Sequence, residues 1–171
     1  MIIQACDEFN LEDLQISLLT LGCYVFHDPV LENICSDVVW QPESPGFRRG
    51  INTQATDILQ SRIRYHTQDF FPLELINSYV WSGIDHYSDQ WHDDAREKMD
   101  IQFLCYQTTM TEQEGGALEM QCFDGITRHY YPRIGDVAVI NHRNLLVHRV
   151  GPIHTNRERI VCNAAYRYAH D

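Results

Sequence analysis

No run in this chain approaches the roughly 20 consecutive apolar residues of a membrane-spanning helix. The opening stretch, MIIQACDEFNLED, lacks a positive n-region and turns acidic at once, so a secretory signal is not expected there. Basic residues are scarce: 13 Lys and Arg stand against 24 Asp and Glu, a formal net charge of −11. Grip on a nucleic-acid backbone needs a dense basic stripe, so no nucleic-acid partner and no membrane partner is expected. Internal repeats and low-complexity tracts are absent, which excludes solenoids and linker arrays. The six cysteines (Cys6, Cys23, Cys35, Cys105, Cys122, Cys162) form no CxxC pair, which argues against a zinc ribbon or a thioredoxin motif. Several lie inside apolar runs such as LTLGCYVF and RIVCNAAY, where cysteine is usually a small core residue. A reducing, cytoplasmic compartment is expected.

What is present suits one globular domain. The length is 171 residues, with 44% apolar and 22% charged residues, enough to bury a core. Leu11, Leu14, Leu18 and Leu21 share one side of a helix over 11–21, Gly22 ends it, and CYVF reads as a strand. VLENICSDVV reads as helical. Residues 41–53, QPESPGFRRGINT, carry two Pro and two Gly and read as a loop, long enough to serve as a lid. Thr56 to Phe70 reads as a further helix. From residue 73 the texture changes to short apolar or alternating runs separated by turns: LELINSYVW, IQFLCYQTT, GGALEMQCF, RHYYP, DVAVINH, LLVHRV and RIVCNAAYRY. Seven evenly spaced short strands predict an antiparallel sandwich or barrel. The expected fold is α+β, mainly β, with helical support in 1–72 and a β core in 73–171 of a single domain.

The residues with chemistry to offer begin at WHDD, with His92 and Asp94. Nine histidines make one His-x-Asp pair weak by itself. Downstream, His148 sits in the apolar run LLVHRV, and Arg159 opens the last strand. Two imidazoles and a carboxylate on one face of an iron(II) ion leave three adjacent coordination positions open. On a strand, His92 and Asp94 at i and i+2 would point to one face, with His148 supplied by a neighbour. A distal carboxylate on a co-substrate calls for a fixed, forked cation, which Arg159 offers. His142 and His154 compete for the distal position but lie outside the middle of an apolar run. Each residue also has a plain alternative: a surface His92, a core His148, an ion-paired Arg159, a core Tyr106.

In order and spacing these pieces resemble the Fe(II)/2-oxoglutarate-dependent oxygenases, in their prolyl-hydroxylase-like branch. FLCYQT, GGAL, YPRIGDVAVI, HRV and RIVCNAAYRY match that branch's strand with tyrosine, Gly-Gly turn, Gly-Asp turn, second histidine and arginine. The likeness runs from about Leu73 to Tyr168. It implies a double-stranded β-helix, a jelly-roll or cupin-like core. It also implies Fe(II) on His92, Asp94 and His148, and 2-oxoglutarate held by Arg159 and, from its match to a co-substrate tyrosine, Tyr106. Dioxygen would be the oxidant and ascorbate an accessory reductant. The branch's tyrosine ahead of His-x-Asp has no gap-free counterpart; Tyr79 and Tyr87 flank its place. Arg167 lies two residues too far along to fit the arginine motif of nucleic-acid-demethylating relatives.

The activity so implied is a dioxygenase that hydroxylates an unactivated C–H bond. A prolyl or other side chain in a protein or peptide is the expected substrate, and a free amino acid or small metabolite the alternative. Two readings of another class stand beside it. One is a non-catalytic cupin-like binding module. The other is a zinc hydrolase built on two His and one carboxylate, which would give Arg159 no task.

Overall fold

The computed structural model describes residues 1–51, 54–67, 72–84, 89–94, 98–143 and 146–169. Two antiparallel sheets face each other, and two helices cover the outer side of the larger one. Helix α1 spans Leu11–Thr20. The Asn10 side chain caps it by accepting from the Asp13 N–H at 3.1 Å, as N-cap asparagines do. Gly22 follows with φ +83°, and a Cβ there would meet Leu146 and Phe123. Helix α2, Ala55–Thr67, buries Ala55, Leu59, Ile63 and Thr67, a strict four-residue stripe.

The strands are β1 Cys23–His27, β2 Val39–Ser44, β3 Phe47–Ile51, β4 Leu73–Gly83, β5 Ile101–Tyr106, β6 Leu118–Gln121, β7 Thr127–Tyr130, β8 Asp136–Asn141, β9 Val147–Val150 and β10 Arg159–Tyr168. The large sheet has the order β1-β8-β5-β10-β4-β3-β2 and the small one β7-β6-β9. All seven strands expected after residue 73 are present, and the fold is mainly β as expected.

Two local expectations are corrected. VLENICSDVV is not a helix: a single 3-10 turn at Pro29–Leu31 follows the Asp28 cap, and β2 begins at Val39. Residues 41–53 are not a free loop: β2 and β3 form a hairpin whose inner strand pairs with β4, Arg49 opposite Trp81. Pro42 is tolerated because β2 is the sheet's edge. Gly50 is needed because a Cβ there would lie 2.6 Å from Val38 Cγ1 and 3.1 Å from Val80 Cβ. The end of the second expected helix, residues 68–70, lies outside the described residues.

The strands β1, β8, β5 and β10 of the large sheet are buried on both faces, and strand parity sorts their residues. Tyr24, Phe26, Phe103, Val137, Val139, Cys162 and Ala164 turn outward to Leu14, Leu18, Leu59 and Ile63 of the helices. Val25, Leu104, Tyr106, Ala138, Ile140 and Val161 turn inward, where they meet Leu118, Met120, Tyr130 and Val150 of the small sheet. Because successive side chains alternate faces, the parity that turns Val161 inward also turns Arg159 inward, and the parity of Leu104 does the same for Gln102. The cysteines carry free thiols, four of them buried. Among the described residues no helix is long and apolar enough to cross a membrane.

Candidate metal centre and co-substrate pocket

The site lies between the sheets, in a cavity of about 130 Å³. His92 and His148, 56 positions apart, become direct neighbours through backbone pairing. The His92 N–H donates to the His148 carbonyl at 3.0 Å, and the His148 N–H returns a bond to His92 at 2.8 Å. Opposed residues of an antiparallel pair project side chains to the same face, and here the ring centroids are 4.4 Å apart.

The orientation of each ring is fixed from behind. His92 Nδ1 lies 2.7 Å from the Gln90 carbonyl, and His148 Nδ1 lies 3.3 Å from the Leu146 carbonyl. A carbonyl only accepts, so Nδ1 carries the proton in both rings and Nε2 presents its lone pair. Those Nε2 atoms face one carboxylate: His92 Nε2 is 3.6 Å from Asp94 Oδ1, and His148 Nε2 is 3.4 Å from Asp94 Oδ2. One ligand atom from each residue falls within a 4.8 Å group. Burial alone would raise the Asp94 pKa, but the neighbouring His148, His92 and His142 side chains hold its carboxyl below the usual range. Two outward-facing imidazole nitrogens and an ionised carboxylate are a donor set suited to a divalent first-row metal.

Asp94 reaches this position in another way than strand alternation. Its φ is +52°, the left-handed region that Asp and Asn tolerate better than most residues. His92 pairs with His148 as an isolated bridge, and the chain turns at Asp94 to bring its carboxylate back over both rings. Convergence of the pair was foreseen; its basis as i and i+2 on a continuous strand is corrected.

Arg159 forms the opposite wall. It is fully buried. Its Nε donates to the Gly116 carbonyl at 2.8 Å, and Nη2 approaches the Tyr106 hydroxyl at 3.4 Å. The guanidinium carbon lies 5.1 Å from the ring centroids of both Trp81 and Tyr106, within cation–π reach. Among the described residues Nη1 has no hydrogen-bond partner. A buried charged donor left unsatisfied costs free energy unless an anion completes it. Gly116 contributes through its backbone: φ is +70°, and a Cβ would press to 3.4 Å from Arg159 Cδ. Tyr106 sits behind Arg159 rather than in the cavity wall, and burial pushes its phenol pKa up to about 12, so it stays protonated.

The other histidines, arginines and aromatic residues around the site separate cleanly. His142 is buried 5.4 Å from the His148 ring, but its nitrogens face the Asp93 carbonyl and Gln102 Oε1. Burial pushes its pKa down to about 4. His154 is exposed on the surface. Arg49 pairs with Glu43 and Arg48 with Glu158, while Arg167 pairs with Glu74 on the surface. Trp91 lies outside the cavity lining, under the Arg149 guanidinium. Tyr79 lines the cavity, whereas Tyr87 lies outside the described residues. Sequence reading missed Phe47, Trp81, Asp89 and Gln102 as wall residues. Trp81 and Gln102 were accessible from strand parity once Arg159 was placed inward; Phe47 and Asp89 had no such signal. A larger cleft of about 700 Å³ near α1, α2 and Asp28 contains none of the triad.

No family model and no curated protein matches the sequence. Solved structures do. A protein of the 2OG-Fe(II) oxygenase family from Burkholderia pseudomallei superposes with a TM-score of 0.75 at 14% identity, covering 97% of this chain and 94% of that one. A Trichoplax adhaerens prolyl hydroxylase in complex with a hypoxia inducible factor peptide fragment gives 0.73 at 13% identity, covering 92% and 88%. HygX from Streptomyces hygroscopicus, with nickel and 2-oxoglutarate bound, gives 0.66 at 15% identity, covering 95% and 88%. The architecture is thus the double-stranded β-helix of the 2-oxoglutarate/Fe(II) oxygenases. Prolyl hydroxylases are among the structures that share it.

Proposed function

We propose that this chain is an Fe(II)- and 2-oxoglutarate-dependent dioxygenase that hydroxylates an unactivated C–H bond. His92, Asp94 and His148 would hold the metal, and Arg159 would hold the distal carboxylate of 2-oxoglutarate. One observation carries the reading: two lone-pair imidazole nitrogens and an ionised carboxylate converge on the same small cavity as a fully buried guanidinium whose Nη1 has no partner. A zinc hydrolase or an inert cupin-like module would leave that guanidinium without a counter-ion.

When bound, iron and 2-oxoglutarate supply oxidising power: dioxygen is reduced as the 2-oxo acid loses carbon dioxide to become succinate, and one oxygen atom enters the substrate. The protein's own work is placement. The Gln90 and Leu146 carbonyls fix both histidine tautomers, so neither ring must turn when metal arrives. Arg159, pinned at Nε by Gly116 and flanked by Tyr106 and Trp81, offers an aligned donor to the carboxylate. Leu104, Leu118 and Val150 give part of the wall an apolar surface, which limits water around the charged groups.

Molecules of both expected kinds are bound by fold relatives: a hypoxia inducible factor peptide fragment by the Trichoplax prolyl hydroxylase and hygromycin B by HygX. For this chain we retain a side chain of a peptide or a small metabolite as the substrate, with ascorbate only as a reductant in the assay. The test is succinate release from 2-oxoglutarate with Fe(II) and dioxygen. The reading requires turnover that disappears in His92→Ala and in metal-free protein; turnover equal in both would sink it.

A further inference from the structure

Away from the metal site, two thiols meet across the sandwich. Cys23 opens β1 of the large sheet, Cys122 follows the end of β6 of the small one, and both belong to the inner core. Their sulfurs lie 3.9 Å apart. The backbones beside them are joined: the Phe123 N–H donates to the Leu21 carbonyl at 3.2 Å, and a Cβ on Gly22 would lie 2.8 Å from Phe123 Cζ. The path of the chain therefore holds the two thiols together. The pair is also unequal. The Cys23 thiol and the Arg128 guanidinium beside Cys122 hold its thiol below the ordinary cysteine range, against the effect of burial. Arg128 is itself fixed by a fork to Asp124 at 2.7 and 2.6 Å. A thiolate next to a guanidinium is the nucleophilic form of cysteine. Burial pushes the Cys105 thiol up, and Cys35 together with burial does the same for Cys162, so those two stay protonated. Cys23 also lines a surface cavity of about 240 Å³ between the N-terminal segment and α1.

We infer that Cys23 and Cys122 form an oxidative modification site, a dithiol that hydrogen peroxide converts to a disulfide. The Cys122 sulfur attacks one peroxide oxygen, the O–O bond breaks, and Cys122 becomes a sulfenic acid while the other oxygen leaves as hydroxide. The Cys23 sulfur then displaces the sulfenic oxygen, which departs as water with the Cys23 proton, and the S–S bond forms. The hydroxide takes up the proton that Cys122 had lost. In sum, two thiols and one peroxide give one disulfide and two waters, and two electrons pass from sulfur to oxygen. The bond ties β1 to β6, the strand that carries Leu118 of the metal cavity and sets Met120 opposite His148. In a reducing compartment such a bond is transient, made by oxidant and undone by thiols. The site stands apart from the oxygenase reading and does not depend on it.

The test is titration of the folded chain with hydrogen peroxide, in the presence of a chelator so that no iron reacts with the oxidant. Remaining thiols are then alkylated under denaturing conditions and the peptides mapped by mass spectrometry. The expected product is the Cys23 peptide joined to the Cys122 peptide, short of two hydrogens and released by dithiothreitol, with Cys105 and Cys162 recovered as alkylated thiols. The two single variants should differ. Cys23→Ser keeps a hydroxyl donor beside Cys122, so peroxide should leave a sulfenic acid on Cys122 that dimedone captures. Cys122→Ser should show at least about tenfold less dimedone on Cys23. Both thiols left free by peroxide, a bond from either one to Cys6 or Cys35 instead, or more dimedone on Cys23 than on Cys122 would overturn the inference. The wild-type map decides even if a variant does not fold.

Discussion

Replacing Arg159 with methionine tests how much of co-substrate affinity one side chain supplies. In the free protein the guanidinium is fully buried, with Nε on Gly116, Nη2 against Tyr106 at 3.4 Å and Nη1 unpartnered. A carboxylate would complete Nη1 and share Nη2. Hydrogen bonds to charged groups contribute roughly 1.5–3 kcal/mol each, so losing one fully and one in part costs about 2–4 kcal/mol. That is about 30- to 1,000-fold in Kd. Methionine fills similar space and also removes a desolvated charge, so the ligand-free protein should keep its stability to within about 2 kcal/mol. The assay is calorimetric titration of 2-oxoglutarate into Fe(II)-loaded protein without oxygen, with thermal unfolding alongside. At 100 times the wild-type Kd the ligand adds about 2.7 kcal/mol to stability, a rise in Tm of about 5–11 °C for a chain of this size. The methionine variant at the same concentration should rise by at most about 3 °C. Lysine should fall between, since it keeps the charge but loses the fork. Affinity in the methionine variant within threefold of wild type would refute the assignment of Arg159.

Three further outcomes follow from the geometry. Asp94→Gly and Asp94→Asn should lose metal, measured by elemental analysis after dialysis, yet fold at least as stably as Asp94→Ala, which should lag by about 1 kcal/mol at this left-handed position. Asp136→Ala, which strips buried partners from the Tyr130 hydroxyl, the Arg133 N–H and His27 Nδ1, should cost about 2–5 kcal/mol in urea unfolding; a loss under 1 kcal/mol would contradict the network. Asp28 is desolvated, yet bonds from Arg62, His66 and the Val30 N–H hold its carboxyl below the usual range. The folded state therefore releases this proton at lower pH than the unfolded chain, whose value is about 3.9. Its contribution is complete above that value and is lost as pH falls through the lower folded one. Acid unfolding curves of wild type and Asp28→Asn should accordingly converge below about pH 4; a gap that widens there would reverse the sign.

Legibility differed between elements for physical reasons. The strands after residue 73 were readable because turn residues punctuate them. The last of these, RIVCNAAYRY, is buried on both faces and so reads as nearly continuous apolar sequence. The β2–β3 hairpin was not readable, since Pro42 and Gly50 are loop signals unless the strand is known to be an edge or its neighbours to approach closely. His92, Asp94, His148 and Arg159 were found by type and order. How they meet, by a backbone pair and a left-handed turn, is a tertiary property that no local spacing carries.

The central claim is that one cavity holds a metal and 2-oxoglutarate together. The most direct measurement is visible absorption of the purified protein without oxygen, as Fe(II) and then 2-oxoglutarate are added. The account predicts a weak metal-to-ligand charge-transfer band that needs both additions, is absent in His92→Ala, and in Arg159→Met appears only at much higher 2-oxoglutarate. No band in the wild type at saturating iron and co-substrate would contradict it.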